Sequence, residues 1–226
     1  MTSDELCALF RVQANDTAAP FVWSDAELYE FINDAYFMFV RLVGGISDHL
    51  SDACMVEASA QDPYSDISPV ILRIRQATLL PGNEIVRVIN AQDTDSLSEE
   101  EWGVLRQINQ NTTKGKIRYM VTGLQYGVVR WVHIPDKAYT VQLLIDRLPL
   151  EPILGPDQVF EGVQPHHHIH LLKWVRHMAY AKQGDKSADK TKSEAEFAAF
   201  QQYCVQARRE KDLYKHKVRV VRYGGI

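Results

Sequence analysis

The sequence predicts an α+β fold: a helical bundle from the N- and C-terminal helices, with an antiparallel β-rich segment inserted between them. Three observations predict it. The first 45 residues place apolar side chains at helical spacing and close on Gly44-Gly45. Residues 67–150 change to two-residue alternation broken by short turns. From residue 165 the helical spacing returns in two long stretches. Helical ends around a β middle pack most simply as one body, 1–45 with 160–213. The β-rich insertion is then 46–159, and 214–226 is a tail.

Each element has its own signals. "TSDELCALFRVQAND" is a short amphipathic helix, capped by Thr2 or Ser3, with Leu6, Leu9 and Phe10 on one face. In "WSDAELYEFINDAYFMFVRLVGG", Ser24 stands three residues before Glu27, the spacing of a capping box. Trp23 and Leu28 are placed for a hydrophobic staple. This helix start, Trp23, Ser24 and Glu27, is read as structural. Leu28, Phe31, Ile32, Ala35, Phe39, Leu42 and Val43 form the core stripe. Tyr29, Tyr36, Phe37 and Met38 extend the apolar surface beyond it, so the helix is central in its domain or covered by a neighbouring subunit.

Residues 46–66 hold a helical turn, a strand and a loop. In "PVILRIRQATLL", Val70, Leu72 and Ile74 share one face and Arg73 and Arg75 the other. "IVRVINAQDTD", "KIRYMVTGL", "GVVRWVHI" and "YTVQLLIDRLPL" complete five strands, a small antiparallel sandwich or barrel. Ser98 ahead of Glu101 opens a short helix among them. A proline-punctuated connector leads to helices over about 165–182 and 188–213, joined by "KQGDKSADK" as an antiparallel hairpin. Ala195, Phe197, Ala198, Phe200, Tyr203, Cys204 and Ala207 supply the buried face of the second. The tail "HKVRVVRYGGI" is basic and β-prone.

Composition narrows the function classes. No apolar run is long enough to span a bilayer, and the acidic start shows no signal peptide, so a cytoplasmic protein without a membrane is expected. Cys7, Cys54 and Cys204 match neither a disulfide framework nor a zinc pattern. Residues 1–170 hold 12 Lys/Arg against 23 Asp/Glu, a balance of −11; residues 171–226 hold 13 against 6, a balance of +7. An acidic body with a basic end is poorly suited to wrapping DNA. It suits contacts with different neighbours, or with copies of itself.

Catalytic patterns are absent: no glycine-rich phosphate loop, no G-x-S-x-G and no H-E-x-x-H. The histidines of "QPHHHIHLLKWVRHMAY" are the one chemical cluster. On a helix His166 and His170 are i,i+4 neighbours, and His167 and His170 are i,i+3. A zinc site needs a third ligand, and no spacing recommends His133, His177 or Asp157. Pro165 suits a first helical position, which makes His166 to His168 first-turn residues. The reading is no catalytic residue, no cofactor and no metal, with His166, His167 and His170 as the candidate ligands.

The order of motifs resembles bacteriophage head-to-tail adaptor proteins, the connector or neck proteins of short-tailed phages (tail-tubular-protein-A-like). "FVWSDAELYEFINDAYFMFVRL" resembles their first long helix, and "LPGNEIVRVINA" a strand pair. "VVRWVHIPDKAYTVQLLIDRLPLEPI" is similar to their paired strands, and the stretch from "VQPHHHIH" to "CVQA" to their C-terminal hairpin. Residues 46–66 and 91–115 lie outside the resemblance.

The resemblance implies a non-enzymatic virion protein, assembled in the host cytoplasm. It implies a homo-oligomeric ring, commonly of twelve copies, docked under the portal protein. The ring meets tail nozzle or tail completion proteins, and genomic DNA passes through without sequence-specific binding. Arg219, Arg222 and Tyr223 are then the expected portal or neighbour contacts. The competing expectations are a metal-dependent enzyme using the His166–His170 cluster, and a tail-completion protein that binds the tail tube.

Overall fold

The computed structural model describes residues 1–93, 95, 97–106, 108, 113–182 and 189–215. The tail with Arg219, Arg222 and Tyr223 lies outside these residues, as does most of the turn between the last two helices. The protein is α+β and divides into two units. One is Gly45–Leu148. The other joins Met1–Gly44 to the described residues from Pro149 onward.

The helical unit contains α1 (Ser3–Gln13), α2 (Asp25–Val43), α4 (Pro165–Ala181) and α5 (Lys190–Lys215). Ser24 accepts from the Glu27 amide, 3.3 Å, and Glu27 accepts from the Ser24 amide, 3.0 Å, so two donors that the helix start leaves unpaired are satisfied. Glu27 also takes the Lys182 ammonium at 2.7 Å, tying the start of α2 to the end of α4. Gly44 ends the helix in the left-handed region, φ +88°.

Part of the wide apolar surface of α2 is used within its own unit, while Tyr29, Phe37 and Met38 are half-buried. Leu28, Ile32, Ala35 and Phe39 are buried, and α2 packs on α1, α4 and α5. The connector before α4 covers Tyr36, which meets Phe160 edge to face and donates to the Glu161 carbonyl at 2.8 Å. Asn33 accepts from the Ile153 amide, and Ser3 donates to the Gly155 carbonyl. Residues 149–159, grouped with the β segment on sequence grounds, therefore belong with the helices. On α5 the buried positions are Ser193, Phe200, Cys204 and Ala207; Ala195 and Ala198 are exposed, contrary to the sequence reading. Being small and apolar, alanine is tolerated on either face and marks neither.

The β unit holds ten strands among the described residues, the five read over 67–150 together with five shorter ones. They are β1 (Ile46–Asp48), β2 (Met55–Ala58), β3 (Tyr64–Asp66), β4 (Ile71–Leu80), β5 (Glu84–Asn90), β6 (Lys114–Gly115), β7 (Tyr119–Gln125), β8 (Val128–Val132), β9 (Ile134–Pro135) and β10 (Tyr139–Arg147). The main sheet runs β1-β10-β4-β5-β7-β8-β3, with β2 also on β10. It curls, so that Ser65 of β3 donates to the Glu57 carbonyl of β2 at 2.8 Å. Most pairs are antiparallel, but β5 and β7 are parallel. A parallel pair needs a crossover, and α3 (Glu99–Arg106) lies in that connection, so helices are not confined to the chain ends. Trp131, Met120, Val141 and Leu143 fill the core, and the Trp131 indole donates to Ser65 at 2.8 Å.

Two bulges between β4 and β10 break the alternation read for β4. Leu72, read on the same face as Ile74, is exposed, whereas Ile74 is half-buried and Ala77 and Leu79 are buried. Beside the bulges sit two charge pairs: Arg75 holds Asp146 at 2.7 Å and 2.5 Å, and Arg147 meets Asp48 at 2.5 Å. Asp146 and Arg147 are each 3% exposed. Although burial opposes its charge, Asp48 is held well below the usual carboxylate range by the Leu50 amide, Ser51 and Arg147. Gly45 leads into β1 with φ +82°, and a Cβ there would stand 3.0 Å from the Asp146 Cβ and 3.1 Å from the Arg147 amide nitrogen.

Two predictions follow from these contacts. Arg147→Ala leaves Asp48 without its cation and destabilises the fold by roughly 3–5 kcal/mol, measured by urea unfolding. Glu27 is held at about 2 against an ordinary 4.5, first by Lys182 and then by Ser24. A carboxylate depressed in the folded state stabilises fully above 4.5, and that contribution is lost as pH falls toward about 2. Glu27→Gln therefore lowers the urea midpoint near neutrality, and its deficit against the wild type shrinks across that acid range.

Candidate functional site

The histidine cluster opens α4. Pro165 occupies the first turn, where its missing N–H costs nothing, and the His167 amide closes the turn on the Gln164 carbonyl at 2.9 Å. Successive helical residues point about 100° apart, so three adjacent histidines meet three surroundings. His166 faces solvent. His167, 8% exposed, lies beside Phe39 and shares a 2.7 Å hydrogen bond between Nδ1 and the Tyr203 hydroxyl. His168, 6% exposed, turns inward against Phe160. Its Nε2 must carry the proton, because it donates to the Val163 carbonyl at 3.0 Å. His170 stacks on the Tyr203 ring with centroids 3.6 Å apart.

Burial pushes His167, His168 and His170 below the ordinary histidine range. His166 adds to this at His167, and Lys173 at His170. Tyr203 is pushed up to about 12 by burial, so its hydroxyl remains protonated and able to bond. The lowered values leave His167 and His168 as neutral hydrogen-bonding groups at neutral pH.

The other candidates are dispersed. His177 packs nearer the far end of α4, against Trp174 and Phe197, with Nδ1 2.9 Å from the Ser193 hydroxyl. Ser193 is 4% exposed and also donates to the His177 carbonyl, so this serine–histidine contact joins two helices out of reach of a substrate. Asp157 lies beside Asp4, and His133 lies between β8 and β9. Instead, Glu210 of α5 approaches the cluster. Its Oε2 is 3.9 Å from His166 Nε2, and ligand atoms of His166, His167 and Glu210 lie within 4.8 Å of one another. Sequence spacing missed Glu210 because 40 positions separate it from His170. The hairpin register was the available signal: an antiparallel α4–α5 pair that sets His177 by Ser193 brings the start of α4 to the end of α5.

Cys7, Cys54 and Cys204 are free and buried. Among the described residues no helix is long and apolar enough to cross a membrane.

A family model described as SU10 adaptor protein matches residues 1–221. The chain belongs to the SU10 adaptor family. SU10 adaptors are phage head-to-tail adaptors, so this one is a structural component of the virion that meets portal and tail components. A search of curated proteins found no match. Within this adaptor, Trp23, Ser24 and Glu27 serve the fold: the Trp23 indole donates to the Ala179 carbonyl at 3.3 Å beside the Ser24–Glu27 cap.

The buried histidines set a pH response. A histidine held low in the folded state takes up its proton on unfolding, so stability declines as pH falls through the ordinary value of 6.5. The urea midpoint of the adaptor falls between about pH 7 and about pH 5. In His168→Gln, which keeps a donor for Val163, that fall is smaller.

Proposed function

We propose that the adaptor is a subunit of a neck ring in a short-tailed phage. The ring, read as twelve copies of this tail-tubular-protein-A-like chain, docks under the portal and extends the DNA channel toward the tail nozzle. The family match along nearly the whole chain carries this reading. Supporting it, residues 1–170 carry a net −11, and an acidic channel wall adds no phosphate-binding drag to passing DNA. In this reading the terminal helices act as one bundle, and the β unit is the inserted element.

The role is structural, not catalytic. Arg219, Arg222 and Tyr223 are assigned to the portal or a neighbouring subunit because the basic, β-prone tail can add a strand to an exposed sheet edge. DNA passes without sequence-specific binding.

Size-exclusion chromatography and electron microscopy with purified portal rings test this. The expected result is a ring, either free or formed only on the portal. Arg219→Glu with Arg222→Glu weakens portal binding by roughly tenfold or more. A chain that stays monomeric and ignores the portal refutes the proposal, and one that binds tail tubes instead assigns it to tail completion.

A further inference from the structure

We propose that His166, His167 and Glu210 form a divalent transition-metal site of the zinc class, stapling the start of α4 to the last turns of α5. This is independent of the neck-ring reading.

Three observations carry it. The donors are of the right type, two imidazoles and a carboxylate, a set that zinc binds while leaving a fourth position to water. They come from two helices, yet their ligand atoms lie within 4.8 Å. Tetrahedral ligands about 2.0–2.1 Å from zinc stand roughly 3.3 Å apart, so rotation of two exposed side chains closes the site. His166 and Glu210 have that freedom, at 64% and 58% exposed. Their 3.9 Å separation exceeds a hydrogen bond, so the approach is at most a loose ion pair.

His167 supplies the fixed ligand. In the tautomer whose Nδ1–H donates to the Tyr203 oxygen, 2.7 Å away, the opposite ring nitrogen is left for an ion. A ligating histidine is commonly oriented by such a partner on its other nitrogen. His168 and His170 are excluded by their surroundings, one bonded to Val163 and one stacked on Tyr203. The site is therefore not the histidine run that the sequence displays but a cross-helix set that includes a carboxylate. Imidazole with carboxylate favours zinc and its transition-metal neighbours over magnesium or calcium.

The test is titration of the untagged full-length chain with zinc chloride by isothermal calorimetry, with melting curves in zinc and in magnesium. One zinc binds per chain, and zinc but not magnesium raises the melting temperature. Glu210→Gln and His166→Ala each melt at the wild-type temperature without metal and bind zinc roughly tenfold or more weakly. Absence of zinc binding overturns the proposal. So does undiminished binding by Glu210→Gln, which would mean that the histidine run alone captures the ion.

Discussion

Closure of the β unit on itself is the constraint on which the rest depends. The chain leaves the helices at Gly44 and returns to them at Pro149, so the strands at the two ends of the excursion must be neighbours. β1 and β10 meet this demand by pairing antiparallel, Ile46 opposite Arg147 and Asp48 opposite Ile145. Only then can α1 and α2 share a core with helices more than a hundred residues later in sequence. Backbone pairing over three residues is a weak clasp. Arg147 on Asp48 and Ser47 on Asp146 reinforce it through side chains, and Arg75 of β4 pairs with the same Asp146. Buried charge pairs contribute little net stability against a hydrophobic replacement, but removing one member is costly. Their effect here is to penalise any slipped register, because a one-residue shift would strand Asp48 or Asp146 away from its arginine.

On the helical side α2 has the corresponding role. It touches α1, α4 and α5, and the connector from Ile153 to Glu161 lies along another of its faces. A helix apolar on several sides needs either a subunit partner or covering from its own chain. For Tyr36 the cover is the chain itself, since Phe160 and the Glu161 carbonyl account for its ring and its hydroxyl, whereas Tyr29, Phe37 and Met38 stay half-buried. The connector earns its order from the same contacts, together with the Ser3 bonds to Gly155 and Gln158.

What could be read from the sequence depended on range. The Ser24–Glu27 cap, the Gly44 stop, Pro165 at the start of α4 and the Ser98–Glu101 start of α3 each rest on residues a few positions apart, and they stand where the spacing puts them. The β unit was legible as a class but not as a register. β1, β2 and β3 have three or four residues each, too few to show alternation, and the β4–β10 bulges invert the faces of β4. The parallel β5–β7 pair hides behind a helical crossover. Glu210 was invisible to spacing for the same reason: tertiary register, not sequence distance, brings it to His166.

The charge division takes on a different meaning once the contacts are known. An acidic body and a basic end, taken alone, point outward to different neighbours. In the structure part of that complementarity is internal. Residues 1–44 hold 2 Lys/Arg against 7 Asp/Glu, and Lys182 from the basic end closes on Glu27 in this acidic stretch. Part is local to α5, where Arg208, Arg209 and Lys211 crowd the last turns, the end at which a helix dipole favours cations. Lys211 donates to the Gly44 carbonyl, which places a cation from the end of α5 at the last turn of α2. Some of the +7 is thus committed within the fold. The charge left for a partner includes, among the described residues, the exposed Arg208 and Arg209 and, by sequence, the tail that follows.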